Sequence, residues 1–211
     1  MSRKASKANK SKRLLPPPSN QIPALQVRKF EFKTLEGQLA TARQHPFHGC
    51  WVIKDWQEHG ITPVIVSRMI SSNEYFVGNF LVDLYCLGVK SCYVRSFTNP
   101  KAVARFVDKV TFNTAIPCSV ELAHEIIYGA IEFAAQFEIQ PDVNFERCKW
   151  LLDPPDVHPR THGVQFGKDG KPYFIAGPND DIYKMRAVLD KLERTAGQGN
   201  FDFLIPFPAP E

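Results

Sequence analysis

"YFVGNFLVDLYCLGVKSCYVRSF", residues 75–97, decides the fold. It reads as one long apolar strand, a tight turn at "GVK" and a second strand, "SCYVRSF", coming back. Side chains alternate along a strand. Phe76, Gly78, Phe80, Val82, Leu84 and Cys86 therefore share one uniformly apolar face, which turns toward the main core. Val77, Asn79, Leu81, Asp83 and Tyr85 share the other. Asp83 sits in the most hydrophobic part of the chain. It is either a structural acid, held by backbone or by a neighbour such as Arg68, Lys90 or Tyr85, or one wall of a pocket.

On the N-terminal side, "CWVIKDW" (50–56) and "ITPVIVSRMI" (61–70) are two further strands, and "SSNE" (71–74) is a turn. The product is an antiparallel meander. A short helix is expected from about Thr34 to Gln44, with Thr34 as N-cap. On the C-terminal side a helix starts at about Pro100. The strongest helix lies in "CSVELAHEIIYGAIEFAAQF" (118–137), where Val120, Ala123, Ile127, Ala130, Ala134 and Phe137 form one apolar stripe behind the N-cap Ser119. A third is expected over "DVNFERCKWLL" (142–152), stopped by Asp153-Pro154-Pro155. "VQFGKDGKPYFIAGP" (164–178) is a hairpin on the type I′ pair Asp169-Gly170. An amphipathic helix follows over residues 180–197, with Gly197 as its stop, and "NFDFLIPF" (200–207) closes as a strand. Strands in a run, then helices, then a hairpin predict an α+β fold, with residues 21–211 as a single domain.

Charge is distributed unevenly. Residues 1–20 hold Arg3, Lys4, Lys7, Lys10, Lys12 and Arg13 and no acid, so the remainder carries 20 basic residues against 22 acidic ones. This arm is polar, ends in Pro16-Pro17-Pro18 and is expected to be disordered. A free basic arm suits RNA or DNA phosphates; with no aromatic residue, base stacking is not expected from it. No apolar run has membrane-spanning length, and the start of the chain lacks a secretory pattern, so a cytoplasmic protein without membrane contact is expected. Five cysteines, widely spaced, suit reduced core thiols rather than disulfides or a zinc site.

Three sets of residues carry candidate chemistry. Asp83 is one. Glu121, His124, Tyr128 and Glu132 form a polar stripe beside the apolar one, placing a histidine between a carboxylate and a phenol. His45, His48 and Cys50 in "HPFHGCW" lie close together, but no second ligand pair at metal spacing follows. No metal or other cofactor is expected. Phosphate-loop, dinucleotide, zincin and nucleophile-elbow motifs are all absent.

"GNFLVDLYCLGVK" (78–90), "LAHEIIYGAIEFA" (122–134) and "FGKDGKPYFIAGP" (166–178) resemble a bacterial protein family that shares G-x-F-L-V-D-x-x-C-L-G-V-K, A-H-x-I-x-G-A and F-G-x-D-G-K-P. The resemblance spans roughly residues 45–205 and leaves the arm outside. It implies no activity, but it puts Asp83, Cys86, Lys90 and His124 inside shared blocks.

The expected function is that of a non-enzymatic accessory protein, its body binding a protein or ribonucleoprotein partner and its arm touching nucleic-acid phosphates. The alternative is a hydrolase or nuclease built on Asp83, His124 and Glu121, which requires the three side chains in one cleft. If the arm binds phosphates, deleting residues 1–15 removes up to six cationic contacts. The slope of log K against log salt for duplex DNA, measured by fluorescence anisotropy, then falls by up to about 5 units. An unchanged slope, or no binding by the intact protein, contradicts this.

Overall fold

The computed structural model describes residues 35–177 and 180–205. The basic arm, its prolines and the Thr34 cap lie outside them. Five antiparallel strands form the main sheet: β1 (Phe47–Ile53), β2 (Ile61–Ser71), β3 (Glu74–Asp83), β4 (Gly88–Phe97) and β5 (Ala115–Cys118), in the order β4-β3-β2-β1-β5. β2, β3 and β4 are the expected meander, in register from Ile61↔Asp83 and from Asp83↔Gly88. β5 was not legible beforehand. It is short, contains Pro117, and joins the β1 edge through pairs such as Cys50↔Cys118.

Five helices matter to this frame: α1 (Leu35–Leu39), α2 (Trp56–His59), α3 (Pro100–Val110), α4 (Val120–Ala135) and α5 (Phe145–Cys148). The expected first helix is shorter, and a separate 3₁₀ turn follows at Ala42–Gln44. The helix expected over 142–152 is likewise one α turn and one 3₁₀ turn. Ser119 caps α4 as expected, accepting the Leu122 N–H, and Asn99 caps α3 by accepting the Ala102 N–H.

The alternation along β3 holds. Phe80, Val82 and Leu84 join Ala123, Ile126, Ile127 and Ala130 of α4 in the main core. The opposite face is no bare surface: Tyr75, Val77 and Ile65 pack under Val103, Phe106 and Val107 of α3. The sheet thus carries one long helix on each side.

The C-terminal part differs in pairing. Asp169 and Gly170 both take positive φ, 53° and 78°, as a type I′ turn requires, yet only Lys168↔Lys171 bridges across it. The backbone on either side is engaged elsewhere: Gly167 N–H donates to Leu84 O, and Tyr173 N–H to Tyr85 O. β6 (Tyr173–Ile175) then pairs in parallel with β7 (Asp202–Leu204), the crossover being α6 (Ile182–Thr195). Phe174, Ala176 and Leu192 close a core with Cys86 and Ala134, which seats this unit on the β3–β4 turn and the end of α4. Among the described residues no helix is long and apolar enough to cross a membrane.

Phe80 is fully buried, whereas Phe112 is 86% exposed. Phe80→Ala is expected to cost about 3–5 kcal/mol in urea unfolding. Phe112→Ala should stay within about 0.5 kcal/mol. Equal effects would place the core elsewhere.

Candidate functional site

Asp83 ends β3, and its Oδ1 accepts the N–H groups of Tyr85 at 2.9 Å and Cys86 at 3.0 Å. The carboxylate in the apolar run therefore holds the β3–β4 turn. It is 7% exposed. Burial pushes its pKa up to about 6, although the Tyr85 and Cys86 amides and the Lys90 charge pull the other way. Asp83 also borders a cleft of about 390 Å³, lined by Ile61, Leu81, Tyr85 and Ile175 with Lys90 and Asp180. Lys90 Nζ lies 3.2 Å from Asp180 Oδ2, which also accepts the Gly177 N–H at 2.7 Å. A second hollow of about 550 Å³ is also lined by this ion pair, with Ile139, Val188 and Lys184.

The middle of the polar stripe of α4, His124 and Tyr128, is buried under the segment 153–165, which crosses it as a strap, while Glu121 and Glu132 at its ends stay partly exposed. Tyr128 Oη donates to Asp153 O at 2.9 Å, and Arg160 pairs with Glu132. Buried Glu125, which the stripe did not include, accepts the N–H groups of His162 at 2.8 Å and Val164 at 2.9 Å. Its own burial works against ionisation, but those amides hold its pKa below the usual carboxylate value.

At the head of α4, His124 is 3% exposed, and its Nε2 accepts the Asp153 N–H at 3.3 Å. Burial, then the neighbouring His158, lowers its pKa to about 4, so the ring is neutral. His158 Nε2 lies 2.8 Å from Asp153 Oδ2, and its Nδ1 lies 3.8 Å from Glu121 Oε1. The other oxygen of Asp153 receives Arg68 Nη2 at 2.5 Å. Burial pushes the Asp153 carboxyl up, but the hydrogen bonds from His158 and Arg68 outweigh it and keep the pKa below its ordinary value.

The structure brings His124 and Glu121 together around His158. Asp83 lies elsewhere. Gly88, its ladder partner, sits so near α4 that a Cβ would meet Ala130 O at 3.0 Å and Ala134 Cβ at 3.1 Å. Those residues are six to ten positions past His124, about 9–15 Å along the helix axis. The "HPFHGCW" residues do not converge either. The His48 ring packs against Tyr75 and Trp51, the His45 carbonyl accepts from Arg68, and Cys50 is buried beside Cys118. Arg3, Lys4, Lys7, Lys10, Lys12 and Arg13 lie outside the described residues.

Sequence reasoning missed His158 and Asp180, and took Asp153 only as a helix stop. Arg68, a candidate partner for Asp83, pairs with Asp153 instead. No family model matches the chain, and neither curated proteins nor solved structures return a match.

The raised pKa of Asp83 has a signed consequence. Between about pH 4 and 6 the folded state holds a proton that the unfolded chain has lost, so this group's contribution to stability falls as pH rises through that window. Asp83→Asn removes the titration. The wild type should therefore gain stability relative to Asp83→Asn on going from pH 7.5 to 4, by on the order of 2–3 kcal/mol. Urea unfolding at the two pH values measures it, and parallel profiles would contradict the assignment.

Proposed function

We propose that the protein is a non-enzymatic binding protein for a ribonucleoprotein partner, taking an apolar group of the partner's protein component into the cleft beside Lys90. The separation of Asp83 from His124 and Glu121 carries this reading. The acid/base set that an enzyme would need in one place is divided between the two ends of α4, and Asp83 Oδ1 is occupied by turn amides.

The cleft has the features of a binding pocket: apolar walls from Ile61, Leu81 and Ile175, with one fixed ion pair, Lys90–Asp180, as a polar handle. Ile61 and Ile175 are each more than one-third exposed at its mouth. The basic arm supplies the nucleic-acid half of the proposal: six cations without an acid in residues 1–20 suit the phosphates of the RNA. A cytoplasmic, reducing setting belongs to the same proposal and suits the buried free thiols of Cys50, Cys86, Cys92 and Cys148.

Cosedimentation with ribonucleoprotein particles from a cell lysate tests the reading. Ile61→Glu and Ile175→Glu put charge at the cleft mouth without entering the core. Each should weaken cosedimentation about tenfold, as should deletion of residues 1–15, while Val143→Glu on the exposed surface should have no effect. Cleft variants that sediment like the wild type would overturn the role of the cleft. Turnover of a phosphodiester or ester substrate that is lost in Glu121→Gln would overturn the non-enzymatic reading.

A further inference from the structure

We infer that His124, Asp153 and His158 bind one divalent transition-metal ion of the zinc class, with a fourth position left to water. One ligand-type atom from each residue lies within 4.8 Å of the others. This site lies at the head of α4 and is separate from the cleft beside Lys90.

Each residue is already prepared for the role. The Asp153 N–H fixes the tautomer of His124, because a nitrogen that accepts a hydrogen bond carries the lone pair. Nε2 therefore presents its lone pair toward the segment that bears Asp153 and His158. The proton is on Nδ1, which is buried without a hydrogen-bond partner. That unpaired buried nitrogen is a cost of seating the ring, and a metal bond at the other nitrogen would offset it. At 3.3 Å the Asp153 amide is a weak partner, which a cation displaces readily.

Asp153 divides its two oxygens. Oδ1 is held by Arg68, and Oδ2 faces His158 Nε2 at 2.8 Å. The proton shared by that nitrogen and Oδ2 marks the place of the cation. Tetrahedral coordination with bonds near 2.0 Å sets ligand atoms about 3.3 Å apart, so this pair opens slightly and the widest separation closes. The strap supplies that movement, since His158 sits in a loop while α4 is regular helix. When Nε2 of His158 becomes a ligand, its proton passes to Nδ1, and Glu121 Oε1, now 3.8 Å away, receives it in a hydrogen bond. Carboxylate–histidine–metal chains have this form. Two imidazoles and a monodentate carboxylate select a borderline metal such as Zn²⁺ rather than Mg²⁺ or Ca²⁺, which take oxygen.

The test titrates ZnCl₂ into chelator-treated full-length protein by calorimetry, with melting temperature as a second readout. One equivalent should bind and raise the melting temperature. His158→Ala, a loop change that leaves the core intact, should weaken binding more than tenfold. Glu121→Gln should weaken it by about tenfold or more through the His158 contact. His48→Ala should bind like the wild type. Co²⁺ in place of Zn²⁺ should give tetrahedral visible bands without a thiolate charge-transfer band. Absence of saturable binding, unchanged binding in His158→Ala, or a thiolate band pointing to Cys50 and Cys118 would each overturn the site.

Discussion

The buried guanidinium of Arg68 organises the molecule around it. It projects from β2 and is 2% exposed. It donates to Leu151 O at 2.7 Å, His45 O at 2.6 Å and Asp153 Oδ1 at 2.5 Å, and it lies 3.7 Å from the centre of the Phe47 ring. Two segments far apart in sequence, 45–47 and 151–153, are thereby fixed to one strand. Burying a charge is costly, and losing one partner of a buried pair costs about 3–5 kcal/mol, whereas replacing the whole pair by apolar groups is often neutral. The pair's contribution is therefore positional. It sets where the chain leaves the 3₁₀ turn at Leu151, and hence where Asp153 and the strap begin.

α4 divides the polar residues that the sequence suggested as one set. Its apolar stripe is committed to the sheet, so the remaining faces must be covered by something else. At its head the cover is Asp153, His158 and His162; further along it is Arg160 on Glu132, then Phe166 against Gly129 and Phe133. Glu125 can be buried as an ion because two strap amides take the place of water. The histidine at position 124 is neutral for the complementary reason: no carboxylate donates enough charge to offset its burial.

What was legible in the sequence follows from the range of the forces involved. The meander, the cap at Ser119 and the two faces of β3 are set by neighbours within a few residues, and they appear as period and capping chemistry. β5 was hidden because four residues around a proline carry no period. The parallel β6–β7 pair was misread as one arm of a hairpin, since the Asp169-Gly170 turn is real but its flanking amides go to Leu84 and Tyr85. The His124–Asp153–His158 cluster was hidden for a similar reason. Its first contact spans 29 residues and its second spans five across two prolines, so no metal-ligand spacing announces it. Lys90 and Asp180 meet across 90 residues, which no local pattern encodes.

The strap also explains how the turn bearing Asp83 and the head of α4 belong to one structure without forming one site. It starts at Asp153, tied to Arg68 and His158, and runs along α4 until Gly167 N–H reaches Leu84 O beside the Asp83 turn. Along that length Asp153 N–H, Arg160, His162 N–H and Val164 N–H are each paired with α4, so the helix dictates much of its path. Asp83 closes its turn through Tyr85 and Cys86 amides, and the adjoining carbonyls of Leu84 and Tyr85 are the acceptors for Gly167 and Tyr173. The acid therefore shapes the ledge on which the end of the strap and the start of β6 rest. An aspartate that orders a turn used as a docking ledge needs to be buried and fixed. That requirement accounts for a carboxylate in the most apolar stretch of the chain without assigning it any chemistry.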